Sequence, residues 1–279
     1  MSDHPSATLP LTDAHMHFYA QGPAPAGAPF SVPEAKVAGY RMLKQRLGIR
    51  RTAVVQSMLY GTDNSVMLSA LGELGADAAR GIAVTKADAT DDLWDELAGQ
   101  GVIGLRAFML QDAVLQWSEL PRLAERLAER GWQLHLQMNG RHLPEHAALL
   151  VSLPCALVID HVGKFMPPVG LDDAAFRLLA GLVERGRCWL KLSGFYETST
   201  EGGPDYPDVI GLARHLIRLA PERMIWASNW PHPNLRPAPD DALLIDLVAG
   251  LAEDDRQRAM IMHENADHLF GFRVERLHQ

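Results

Sequence analysis

Short runs of apolar and β-branched residues, bounded by Gly, Pro and charge, recur at 9–17, 52–57, 81–85, 102–109, 133–138, 157–162, 189–193 and 224–228. Runs of this length and composition predict strands. Between most of them the apolar positions change to helical spacing. In 120–130, Leu120, Leu123 and Leu127 stand at i, i+3 and i+7, with Arg and Glu filling the opposite side. One face of that helix belongs on an apolar surface and the other in water. The same spacing predicts helices over 34–47, 64–74, 91–98, 144–151, 172–184 and 208–219, and Gly48, Gly75, Gly131 and Gly186 follow as stops.

Strand and helix thus alternate through the chain. The pattern predicts an α/β protein with a single (β/α)8 TIM barrel, one domain over residues 1–279. A doubly wound open sheet is the alternative, weakened by the lack of a GxGxxG after the first strand and of a P-loop. Two stretches rich in Pro, Gly and polar residues, 21–33 and 198–207, break the alternation. They read as long loops after the first and seventh strands, on the face where barrel enzymes keep their chemistry.

Composition narrows the function. With 47% hydrophobic and 22% charged residues the chain can bury a large core. A net charge of −8, with 26 Lys and Arg dispersed, leaves no basic stripe for a phosphate backbone, so nucleic acid is not an expected partner. No apolar run is long enough to span a bilayer and none has the form of a leader, so no membrane partner is expected and the expected compartment is cytoplasmic. Cys155 and Cys188, both at strand starts, read as small core residues.

Polar residues collect at predicted strand ends. His15 and His17, one residue apart on the first strand, point to one face and converge. The sixth strand ends in Asp160 and His161 with Lys164 close behind, a costly way to fill a core, so a functional reading outweighs that of a hydrogen-bonded core histidine. The eighth ends in Asn229 and His232. Gln137 and Asn139 alternate at the end of the fifth, with His135 deeper on the same face as either a metal ligand or a satisfied core residue. Thr62, with Gln56, Ser57 and Tyr60, follows the second strand, where such residues either bind sugar hydroxyls or cap the next helix. Lys191 on the seventh strand is expected to pair with Asp160 rather than to touch a ligand.

The segments Asp13-Ala14-His15-Met16-His17, Gly104-Leu105-Arg106, Ile159-Asp160-His161-Val162-Gly163-Lys164 and Asn229-Trp230-Pro231-His232-Pro233 resemble the 2-pyrone-4,6-dicarboxylate lactonase branch of the amidohydrolase superfamily. The resemblance covers nearly the whole chain and implies a barrel enzyme that opens lactones, commonly without a tightly bound metal. It implies that His15, His17 and His161 polarise a lactone carbonyl and that Arg106 clamps a substrate carboxylate. The branch has a water-activating aspartate where this chain has Asn229. Within the branch, Arg106-Ala107-Phe108-Met109-Leu110-Gln111-Asp112-Ala113-Val114, Gln137-Met138-Asn139-Gly140 and Gly194-Phe195-Tyr196-Glu197-Thr198-Ser199 are most similar to the D-galactarolactone isomerases, which share the asparagine.

An amide has no basicity useful for deprotonating water, whereas isomerising a lactone asks only that a hydroxyl of the same molecule reach the carbonyl. The expectation is therefore an enzyme that isomerises the lactone of an aldaric acid. His15, His17, His161 and Asn229 would be catalytic, and Arg106, Gln137, Asn139, Tyr196, His232 and Thr62 substrate-binding. The alternative is a lactonase acting on 2-pyrone-4,6-dicarboxylate or a sugar-acid lactone, with water activated by His232 or another group. A second alternative is a ligand-binding barrel or a variant disabled by Asp→Asn at 229. No cofactor is required on this reading, although one weakly held divalent metal such as zinc fits His15, His17 and His161. The expected partner is a small acidic lactone. Asn229→Asp is expected to raise hydrolysis.

Overall fold

A computed structural model of the chain describes residues 10–20, 35–110, 113–233, 235 and 237–272. The strand start at Leu9, the loop 21–33, the helix start at Glu34 and the pair Gln111 and Asp112 lie outside the described residues. Eight strands form one parallel sheet in sequence order: β1 Leu11–Met16, β2 Ile49–Val55, β3 Ala79–Ala83, β4 Val102–Phe108, β5 Gln133–Gln137, β6 Ala156–Ile159, β7 Cys188–Leu192 and β8 Met224–Trp226. Helices α1 Val37–Leu47, α2 Ser65–Leu74, α3 Asp91–Gly99, α4 Leu120–Glu129, α5 Leu143–Ser152, α6 Ala174–Glu184, α7 Pro207–Leu219 and α8 Asp241–Ala249 follow the successive strands. This is the TIM barrel that the alternation predicts.

The helices seat on the sheet through the stripes visible in sequence. In α4, Leu120, Leu123, Ala124 and Leu127 are buried, and each buried leucine contributes about 1.5–3 kcal/mol. Arg126, half a turn away, donates to the carbonyls of Ala87 and Ala89 at 3.1 and 2.7 Å and covers the Trp94 ring at 4.0 Å, which ties α4 to α3.

At three of the places where the strand bounds differ from expectation, the reason is local. β2 begins at Ile49 rather than Thr52, because Gly48 ends α1 in the left-handed conformation and Ile49 pairs at once with Leu11. β6 stops at Ile159 rather than Val162, because His161 and Val162 both take φ of 53°. β8 stops at Trp226 rather than Ser228, because Asp13 captures Ser228 through its N–H at 2.9 Å and its hydroxyl at 2.6 Å. The barrel closes beyond β8, where the Asn229 N–H donates to His15 O and the His17 N–H to Trp230 O, each at 2.8 Å.

Inside the barrel, Ala14, Ala53, Val55, Ile82, Val158, Trp189, Ile225 and Ala227 meet Ala266, Phe270 and Phe272 from the chain's end. Helices α9 Asp255–Ala259 and α10 Asn265–Leu269, joined by the π-turn Met260–Glu264, bring that plug to the amino-end mouth. Thr12 Oγ1 and Arg51 Nη1 fasten it by donating to the two Asp267 oxygens at 2.7 and 2.6 Å. The opposite mouth carries the polar strand ends.

Candidate active site at the carboxyl ends of the strands

A register shift between Asp13 and Met16 breaks the alternation of β1. Ala14 stays in the barrel interior and His15 and His17 join it, while Asp13 turns outward to accept from Tyr40 OH at 2.7 Å and from Ser228. A bulge re-aims side chains in this way. The two histidines then meet, His15 Nε2 to His17 Nε2 at 2.9 Å.

Lys191 on β7 organises the floor of the site. It is fully buried and its ammonium nitrogen lies 2.8 Å from His15 Nδ1, 2.9 Å from His135 Nδ1 and 2.9 Å from Asp160 Oδ1. An ammonium donates only, so both Nδ1 atoms accept. His15 consequently donates from Nε2 to His17 Nε2, and His17 donates from Nδ1 to Val55 O at 2.8 Å. Both histidines are thereby fixed as neutral tautomers with their ring nitrogens engaged. Burial, with Lys191 beside one ring and Arg106 beside the other, holds His15 well below the usual histidine range and His17 at about 3. His135, of the two readings left open, is the satisfied core residue: Lys191 donates to Nδ1 and Nε2 lies 3.3 Å from Gln133 Oε1. Burial opposes charge on Asp160, but Lys191, His15 and His161 outweigh it and hold the carboxyl well below its usual range.

Above this floor is a cavity of about 310 Å³, at the small end of the range for ligand pockets. His17, Arg106, Gln137, His161, Lys164, Glu197 and Asn229 supply its polar wall, and Met58, Phe108 and Leu110 an apolar one. Arg106 donates to Gln56 O at 3.0 Å and to Gln137 Oε1, and lies 3.5 Å from Asp160, while its buried Nε has no protein partner among the described residues. His161 is held at Nδ1 by Ser193 Oγ at 2.9 Å, and burial lowers it to about 4 despite Glu197 and Asp160 nearby. Gly194 is what permits this placement: at φ +62° it tolerates a backbone that side chains avoid, and a Cβ there would stand 2.8 Å from His161 Nδ1.

Asn229, in the left-handed conformation at φ 59°, donates from Nδ2 to Tyr196 OH at 2.9 Å and to Glu197 Oε1 at 2.7 Å. Glu197 Oε2 pairs with Lys164. Burial would raise the Glu197 carboxyl, but His161, Lys164 and Asn229 bring it down to about 2. Non-glycine residues in the left-handed region cluster here: His161, Val162, Lys164, Asn229 and His232. Such strain is costly and gathers at functional sites.

The structure brings His17, His161, Asn229, Arg106 and Gln137 to one cavity, with His15 directly beneath and Tyr196 hydrogen-bonded to Asn229. Three expected substrate contacts are placed elsewhere. Thr62 is exposed outside the cavity lining, and Asn139 pins the turn after β6 by bonding Met166 N and O at 3.1 and 3.2 Å. His232 is buried behind Tyr196, with Nδ1 2.8 Å from the phenol and Nε2 3.0 Å from Asp241. Glu197 is the site residue that sequence reasoning passed over. It lies in the short turn Phe195–Glu197 after β7, where no periodicity marks it, and only its position after a strand end could have drawn attention.

The donor set can be weighed for a metal. His15, Asp160 and His161 have ligand atoms within 4.8 Å of one another. His15 carries its proton on Nε2, so the atom it can offer a cation is Nδ1, which Lys191 would have to release. The residues fit one divalent cation.

The family profile described as Amidohydrolase matches residues 12–272. D-galactarolactone isomerase of Agrobacterium fabrum is 34% identical, over 92% of this chain and 90% of the relative. A 2-pyrone-4,6-dicarboxylate hydrolase of Comamonas testosteroni is 31% identical over 95% and 92%. An apo crystal structure from Agrobacterium tumefaciens superposes with a TM-score of 0.87 at 33% identity, over 96% of this chain and 97% of that one. On the strength of its barrel, its strand-end residues and these matches, the chain belongs to the amidohydrolase family.

Proposed function

We propose that this chain is a lactone-processing enzyme that isomerises the monolactone of an aldaric acid, D-galactarolactone being the compound named for one relative. The observation that carries the reading is the state of Asn229. Both of its amide hydrogens are spent on Tyr196 and Glu197, so the atom left for a ligand is Oδ1, an acceptor without useful basicity.

Charge supports the substrate class. Around the cavity and its floor, Lys191 is matched by Asp160 and Lys164 by Glu197, which leaves Arg106 as the surplus cation. One surplus positive charge suits a lactone with one free carboxylate better than a dicarboxylated pyrone. With the carboxylate on Arg106, a ring hydroxyl donates to Asn229 Oδ1 and directs its lone pair at the lactone carbonyl. A new C–O bond forms, the tetrahedral oxyanion collapses, the old ring C–O bond breaks, and the attacking hydroxyl's proton ends on the released oxygen. No water enters the product. Since His15 and His17 spend their ring nitrogens on Lys191, each other and Val55, His161 is the neutral imidazole that stabilises the oxyanion, donating from Nε2 while Ser193 donates to Nδ1. A cation on His15, Asp160 and His161 would supply Lewis-acid polarisation of the same carbonyl.

The lactonase alternative has one observation in its favour, the Glu197 carboxylate on the cavity wall. Both of its oxygens are engaged and its pKa of about 2 makes it a weak base, so the isomerase reading is preferred. A cytoplasmic setting belongs to the same proposal, supported by two buried, unpaired cysteines and by the absence, among the described residues, of any helix able to cross a membrane. The test is to mix the protein with the 1,5-lactone of galactaric acid and follow the proton NMR spectrum. Appearance of the 1,4-lactone at constant lactone content is expected; stoichiometric release of open-chain acid sinks the reading.

A further inference from the structure

Asn229 and Glu197 form a unit whose polarity can be read from one end. A carboxylate oxygen only accepts, so Glu197 Oε1, 2.7 Å from Asn229 Nδ2, fixes which end of the amide is nitrogen. The second amide hydrogen goes to Tyr196 OH at 2.9 Å. Having accepted there, Tyr196 donates to His232 Nδ1 at 2.8 Å, and His232 donates from Nε2 to Asp241 Oδ1 at 3.0 Å. The other Glu197 oxygen is paired with Lys164. A carboxylate at 229 would meet Glu197 at hydrogen-bonding distance with no hydrogen between them, and two like charges that close cannot both persist.

The geometry points to Glu197 as a specificity-determining residue: by occupying the carboxylate place beside Lys164 it requires an amide at 229, and so sets a hydroxyl acceptor rather than a water-activating base over the lactone carbonyl. Glu197 acts through Asn229 and is a positioning residue. The inference rests on the isomerase reading for its consequence, but the pairing of the two side chains stands apart from any substrate. It also revises the expectation from sequence. Asn229→Asp alone sets two carboxylates against each other, whereas Glu197→Gln with Asn229→Asp exchanges amide and charge and gives hydrolysis its base.

The experiment uses four full-length proteins: wild type, Glu197→Gln, Asn229→Asp and the double variant. Urea unfolding at pH 7.5 is expected to show a lowered midpoint for Asn229→Asp that the double variant largely recovers. Should the single Asn229→Asp protein not fold while the double variant does, the coupling is confirmed at full strength. Additive effects on the midpoint overturn the pairing. With galactarolactone as the probe, the fraction of turnovers that end in open-chain acid is expected to be at least about tenfold higher in the double variant than in wild type or Asn229→Asp. A fraction in the double variant no higher than in Asn229→Asp overturns the specificity role even where the midpoints couple. If the midpoints couple and wild type turns over no acidic lactone, the pairing is upheld and the isomerase reading falls.

Discussion

Lys191 has three ammonium hydrogens and, in a fully buried setting, three acceptors within 2.9 Å: His15 Nδ1, His135 Nδ1 and Asp160 Oδ1. Removing one partner of a buried ion pair strands the other charge, at a cost of about 3–5 kcal/mol. Lys191→Met is therefore expected to lose stability of that order in denaturant unfolding, and Asp160→Asn added to it to regain most of the loss. Equal stability of the two variants would contradict the hub. The pairing of Lys191 with Asp160 is legible in sequence, because two charges at the ends of buried strands need each other. The grip on His15 and His135 is not, since nothing in the spacing of residues 15, 135 and 191 shows that three strands across a barrel point to one spot. His161 and Asn229 are recognisable by residue type at a strand end and Arg106 through the family resemblance, whereas Thr62, Asn139 and His232 have the same look and turn out to be exposed, a loop pin and a buried support.

Among elements, the ends of β6 and β8 decide the site. β6 stops short because the chain turns left-handed at His161, and β8 because Asp13 captures Ser228 ahead of the left-handed Asn229; neither stop carries the glycine that would announce it. The apolar runs of β4 and β5 are legible almost to the residue, because their pairing continues to Phe108 and Gln137, one residue short of the expected ends. The bulge in β1 is invisible to an alternation rule, yet it is what turns His15 inward. Gly194, in the turn after β7, does announce its own role. A side chain there faces both a strained φ of +62° and His161 Nδ1 at 2.8 Å. Gly194→Ala is expected to leave the circular dichroism of the barrel unchanged and to lower kcat by at least about tenfold, since His161 must shift. An unchanged kcat would show that His161 does not touch the reacting carbonyl.

For the whole molecule, the two mouths of the barrel are filled differently: the plug of Phe270 and Phe272 fills the amino-end mouth while the charged cluster and cavity fill the other. The cluster makes stability depend on acid. His15, His17, His135 and His161 are folded in neutral form with pKa values below their unfolded value, His17 at about 3 and His161 at about 4. The unfolded chain therefore binds more protons, and stability is lost as pH falls from about 6.5 toward those values, by up to about 1.4 kcal/mol per unit for each histidine. Asp160 and Glu197, held low in the fold, push the same way below about pH 4, while Asp13, raised by burial, opposes them. Unfolding midpoints in urea at pH 7.5, 6, 5 and 4 are expected to fall steadily, and a flat profile would contradict neutral histidines. The central claim, that an amide at 229 directs a hydroxyl of the substrate rather than water to the lactone carbonyl, is tested most directly by running the galactarolactone conversion in H2(18)O and weighing the products. The account predicts an isomeric lactone of unchanged mass; open-chain acid carrying one heavy oxygen per turnover would contradict it.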